Sequence, residues 1–216
     1  MPYVPNLDKL LVSGSRYSDD RAEYVMEAHD APDVTMPTGQ VVGCDPLTTA
    51  GRAEPFTVSV PAGTYPLRAW VAVLYTDGAE WQRRVAALQL VVTGEPAARW
   101  EMALVAGQDP STLGDGEFYG YGVDAGTGTL ADVVAVRALA GWDDERLDEV
   151  YIPAQYPLAP VPGGIISAVT DEPSGANVVA VSSGWGDGAY PTFIGYTAEG
   201  AVASFVTDFM VVPAAG

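Results

Sequence analysis

Residues 65–92, YPLRAWVAVLYTDGAEWQRRVAALQLVV, decide the fold. Two apolar runs, Tyr65–Tyr75 and Trp81–Val92, flank Asp77-Gly78, a residue pair suited to the positive φ angles of a tight hairpin turn. Strict period-two alternation in the second run puts Arg83, Val85, Ala87, Gln89 and Val91 on one face. Arg84, Ala86, Leu88, Leu90 and Val92 then share the other. An antiparallel hairpin follows.

The same rhythm extends on both sides. Seventeen prolines and 24 glycines punctuate short apolar runs, which is the pattern of strands and turns. Upstream, Thr38–Leu47 reads as a strand stopped by Pro46, and Phe56–Pro61 alternates before the turn at Pro61–Thr64. Downstream, Trp100–Ala106 is apolar, and the polar segment Gly107–Gly116 is expected to be a mobile loop. Tyr119–Asp124 is strand-like. Leu130–Leu139 fits a helix or a buried strand, because alanines and Arg137 favour the first and Val133, Val134 and Val136 the second. Asp143–Val150 predicts a short acidic helix, with Asp143 and Asp144 at its positive end. Pro153–Gly164 predicts an irregular connection. Asn177–Ser183, Tyr190–Tyr196 and Ala201–Val212 predict an antiparallel meander. Residues 1–37 are less regular, and residues 18–28 predict a short helix capped by Ser18 or Asp19. The expected fold is mainly β (α+β), with two packed, mostly antiparallel sheets and one or two short helices, in a single domain over 1–216.

Composition narrows function. Hydrophobic residues make up 48% and charged residues 18% of the 216, which is a globular balance rather than a disordered one. The net charge of −18 sets 28 acidic residues against nine arginines and one lysine. Such a surface repels phosphate backbones and anionic bilayers, so neither nucleic acid nor membrane is expected as a partner. A basic protein would be steered in, while the charge also serves solubility. No apolar run reaches the roughly 20 residues of a membrane span, and the N-terminus has no secretory pattern, so the expected location is cytoplasmic. Cys44 is the only cysteine, which excludes an intramolecular disulfide and a cysteine-based zinc site.

Near the C-terminus, Ser183-Gly184-Trp185-Gly186-Asp187-Gly188-Ala189-Tyr190 sets one carboxylate among glycines and aromatics. With Asp45-Pro46-Leu47, Pro61-Ala62-Gly63-Thr64-Tyr65, Val123-Asp124-Ala125-Gly126, Asp132 and Asp208-Phe209, it gives an ordered series of short motifs over residues 38–212. In that series the chain resembles an uncharacterised bacterial family, known only as a domain of unknown function, whose hallmark is a Gly-Asp-Gly motif. The resemblance implies a family and no biochemistry.

Five carboxylates, Asp45, Asp124, Asp132, Asp187 and Asp208, stand at strand ends or in glycine-flanked turns. Converging, they would suit Ca²⁺ or Mg²⁺; apart, each would cap its own turn. The Asp124 and Asp187 loops are expected to lie together and present a concave acidic surface, with Trp185 and Tyr190 as core or as a binding platform. Gly122–Gly128 is similar to the phosphate hairpin of actin-like ATPases, but the chain lacks that fold's length and alternation, so it reads as a turn. His29 reads as a solvated histidine and Cys44 as a small buried hydrophobe. Two functions stand side by side. One is an acidic binding protein, of the kind that neutralises a toxin, recognising a basic protein partner. The other is a metal-dependent hydrolase or small-ligand enzyme using Asp124 and Asp187.

Overall fold

The computed structural model describes residues 1–152 and 160–213; most of the Pro153–Gly164 connection lies outside them. Strand outweighs helix by 46% to 12%, and every strand pairing is antiparallel, so the molecule is mainly β as its sequence predicts. In chain order, helix α1 is Leu7–Leu10, followed by strands β1 (Arg16–Ser18), β2 (Glu23–Met36), β3 (Val41–Cys44), β4 (Gly63–Thr76), β5 (Ala79–Val91) and β6 (Arg99–Met102). Then come β7 (Tyr121–Val123), β8 (Thr127–Asp132), α2 (Val133–Leu139), α3 (Asp144–Tyr151), β9 (Ile165–Asp171), β10 (Ala176–Ser182), β11 (Gly188–Tyr190), β12 (Thr192–Tyr196) and β13 (Val202–Asp208).

A seven-stranded sheet runs β1-β2-β4-β5-β13-β12-β6, a four-stranded sheet runs β3-β8-β10-β9, and β11 pairs with β7 in a separate ribbon. The layers follow from alternation. In β10, Val179 and Val181 join the core shared with Leu67, Ala69, Leu88, Leu90 and Phe205 of the large sheet. Val178 and Ala180 pack the other way, against Val133, Val136 and Leu139 of α2 and Tyr151 of α3. A strand with both faces covered is a continuous apolar run, which is what Val178–Val181 provides. The architecture is large sheet, small sheet, helices.

The β4–β5 hairpin turns at Asp77 and Gly78, with φ of +53° and +78°. Its strict alternation does not survive. Trp70 faces Ala87 while the next residue, Val71, faces Val85, so Ala86 is an extra, bulged residue. Beyond it Arg83 and Val85 share the face of Leu88 and Leu90, and Arg84 joins Ala87 and Gln89.

Two other expectations are overturned. The helix predicted over 18–28 is a turn and strand: β2 runs antiparallel to β4 for 14 residues, with Tyr24 and Met26 buried and Glu23 exposed. Asp19 caps the preceding turn by accepting from the N–H groups of Arg21 and Ala22. The meander over 177–212 is broken. β12 pairs with β13, but β10 belongs to the small sheet between β8 and β9. The ambiguous segment 130–139 is both things in turn, with β8 ending at Asp132 and α2 beginning at Val133. Asp132 makes the switch, since its Oδ1 accepts from Val134 N–H as the helix N-cap. The segment 107–116 holds a 3₁₀ turn, Pro110–Thr112, capped by Asp109.

Candidate functional site

The loop from Ser183 to Tyr190 connects the small sheet to the ribbon and is locked from within. Gly186 N–H donates to the Ser183 carbonyl at 2.8 Å, and Ser183 Oγ donates to the Gly186 carbonyl at 2.9 Å. Tyr190 Oη reaches both carbonyls, at 2.7 and 3.2 Å. Tyr190 is itself buried, edge-on to Phe209, so it braces the loop from beneath. Gly184 has φ of +53°, and a Cβ there would sit 2.7 Å from the Phe209 carbonyl oxygen. Only glycine fits at that position.

This bracing pushes Trp185 outward. Its side chain is half-exposed, as is that of Trp81, at 50% and 55%. The two tryptophans flank a cleft of about 610 Å³ floored by Ala22, Tyr24 and Leu74, with Arg21 and Thr76 at its rim. The Arg84 guanidinium carbon lies 4.9 Å from the Trp185 ring centre, a cation–π contact. Asp20, Asp77 and Asp187, each a near neighbour in sequence of a lining residue, are exposed. Among the described residues none of the three makes an ion pair.

The carboxylates do not form the expected metal site. Asp124 and Asp187 do approach: Val123 pairs with Gly188, which puts the two one step beyond the last pair of the ribbon. Both stand exposed. The other three are buried apart, each with its own task. Asp45 accepts from Leu47 N–H, Asp124 N–H, Ala125 N–H and Thr127 Oγ1. Asp132 accepts from Thr38 and Gly39 besides capping α2. Asp208 accepts from Tyr3 Oη and Met210 N–H. Among the described residues no three His, Cys, Asp or Glu side chains are grouped to hold a metal ion. Millimolar Ca²⁺ or Mg²⁺ is therefore expected to leave the melting temperature unchanged; a rise that Asp187→Asn abolishes would restore the metal reading.

The turn resembling a phosphate hairpin is filled from inside. The N–H groups of Asp124 and Ala125, which a phosphate would need, both point at Asp45 Oδ2. His29 lies on β2 with Nε2 3.2 Å from Glu27 Oε2, a carboxylate it shares with Arg83. Ser182 and Ser183 spend their hydroxyls on the Pro162 and Gly186 carbonyls, so no serine–histidine pair forms. Burial raises the Cys44 thiol well above its ordinary pKa, and the Asp45 charge adds to this. That residue is a core thiol, not a nucleophile.

Of the residues about this cleft, the sequence singled out Trp185 but not Trp81, Tyr24 or Arg84. The available signal was Trp81 itself, a large apolar residue three positions after a hairpin turn, where strand ends are wet.

Over residues 34–207 the chain matches the model of a protein family of unknown function, DUF4241, and it belongs to that family. Neither the curated proteins nor the solved structures contain a match to it. No helix among the described residues is long and apolar enough to cross a membrane.

Proposed function

We propose that this chain is a binding protein that takes a basic protein partner into the Trp81–Trp185 cleft, in the manner of an immunity protein. The observation that carries the reading is the pair of half-exposed tryptophans that flank one cleft, Trp185 on a loop locked from within and Trp81 in the register shift near the β4–β5 turn. Tryptophan is enriched among the few residues that dominate binding energy, and a rigid platform lowers the ordering cost of association. Charge chooses the partner. The net charge of −18 steers cations, and exposed Asp20, Asp77 and Asp187 stand within two residues of Arg21, Thr76 and Trp185 of the lining. Arg84 on Trp185 shows the contact that a partner's arginine would repeat on Trp81.

A photo-crosslinking residue placed at Trp81, and in a control at exposed Glu199, tests this in cells. Position 81 is expected to capture a basic protein that position 199 does not. The purified partner should then bind Trp185→Ala and Trp81→Ala at least about tenfold more weakly, or about 1.4 kcal/mol. Equal capture at both positions, or affinity indifferent to both tryptophans, would overturn the proposal.

A further inference from the structure

A second cavity, of about 240 Å³, opens where the two sheets splay apart, between the β3–β7 side and β12. Its apolar walls are Phe56, stacked on Phe205 with ring centres 6.0 Å apart, and Tyr121. Gly43 sits behind both rings. A Cβ there would lie 3.0 Å from Tyr121 Cε1 and 3.1 Å from Phe56 Cζ, so any larger residue would drive the rings into the cavity.

The polar groups are gathered on one rim. Arg52 ends a 3₁₀ turn, and Ala53 after it is extended, with φ −74° and ψ 130°. Arg52 and Glu54 follow one another within two residues at the lip of the cavity. Both line it, both are exposed, and neither makes an ion pair among the described residues. Gln108 also lines it. Its Oε1 accepts from Val105 N–H at 2.9 Å, which fixes the amide so that its NH₂ is left to donate.

One cation with an amide donor, one anion a short step away and two aromatic walls together describe a small zwitterion with an apolar body. We infer that this cavity binds a free α-amino acid with a bulky apolar side chain. Arg52 and Gln108 hold the carboxylate, Glu54 the ammonium, and Phe56 and Tyr121 enclose the side chain. The volume lies below the roughly 300–1,000 Å³ of drug-sized pockets, which suits one amino acid and not a peptide. The site is separate from the tryptophan cleft, so each can fail without the other.

Calorimetry and thermal shift with L-phenylalanine and L-leucine, up to about 10 mM, test the inference. Phenylacetate, lacking the ammonium, and phenethylamine, lacking the carboxylate, are the controls. Saturable binding of the amino acids is expected, with each truncated analogue at least about tenfold weaker. Arg52→Ala should weaken L-phenylalanine about tenfold and leave phenethylamine unchanged; Glu54→Gln should do so while sparing phenylacetate. Both side chains are exposed, so the variants should fold. No binding by either amino acid, or variants that weaken all three aromatic ligands equally, would overturn it.

Discussion

Asp45→Ala is expected to destabilise the protein by about 3–5 kcal/mol. The carboxylate is fully buried and is the acceptor for four donors: the N–H groups of Leu47, Asp124 and Ala125, and Thr127 Oγ1. Truncation leaves three backbone N–H groups without their acceptor, and each such loss costs about 1–3 kcal/mol. Asn is no remedy. Whichever way its amide turns, an NH₂ faces donors on one side, so Asp45→Asn should cost nearly as much despite equal volume. Urea denaturation gives the loss, and hydrogen exchange locates it, since the Asp124 and Ala125 amides should lose protection first. An alanine variant within about 1 kcal/mol of wild type would show that the turn is held by its glycines and not by Asp45.

That knot explains why part of the site reading could not be made from sequence. An aspartate before Pro46 and an Asp-x-Gly-Thr turn 79 residues later look like two separate candidate sites. They are one structural unit, in which the first carboxylate fills the anion seat of the second. Asp132 deceives in the same way, looking like a ligand and acting as a helix cap that also ties down Thr38 and Gly39. The more glycines and turns surround a buried aspartate, the more backbone donors it has to satisfy.

The fold was most legible where local chemistry decides it. The β4–β5 hairpin, β3 stopping before Pro46, and the acidic helix capped by Asp143 all follow from turn residues and periodicity. β2 was hidden because residues 18–28 read as a short helix and the segment up to residue 37 shows no regular period. The strand absorbs Pro32 in a register shift between Ala31 and Val34, where no ladder N–H is needed. Partners of buried strands were the least legible. Val178–Val181 announces burial on both faces, but nothing in it says which strands lie alongside. The locked Ser183–Tyr190 loop carries the chain out of the small sheet and so breaks the meander. Tryptophan exposure is likewise a tertiary property, since Trp70 and Trp81 look alike in sequence and only the first is buried.

Asp208→Asn is expected to make the protein more stable above pH 7 and to remove the contribution of residue 208 to the pH dependence between about 4 and 7. Asp208 ends β13 and is buried under the N-terminal segment, where Tyr3 Oη donates to it at 2.8 Å. Tyr3 is seated between Phe118 and Phe193. Burial raises the Asp208 pKa from 3.8 to about 6, against the opposing pull of Met210 N–H and Tyr3 Oη. The folded state therefore holds this proton more tightly than the unfolded chain. Its contribution is fully present below pH 3.8 and is lost as pH rises through 6. The shift corresponds to about 3 kcal/mol. Asn removes the charge and keeps both contacts, accepting from Met210 N–H through Oδ1 and donating to Tyr3 Oη through its amide. Exposed carboxylates titrate alike in both proteins, so the wild-type-minus-variant difference isolates residue 208. Urea denaturation at a series of pH values should show the wild type losing about 3 kcal/mol relative to the variant between pH 4 and 7, then a constant gap. Parallel curves would mean that Asp208 meets water or a cation in solution. The N-terminal segment would then not be seated over it as the Tyr3 hydrogen bond requires.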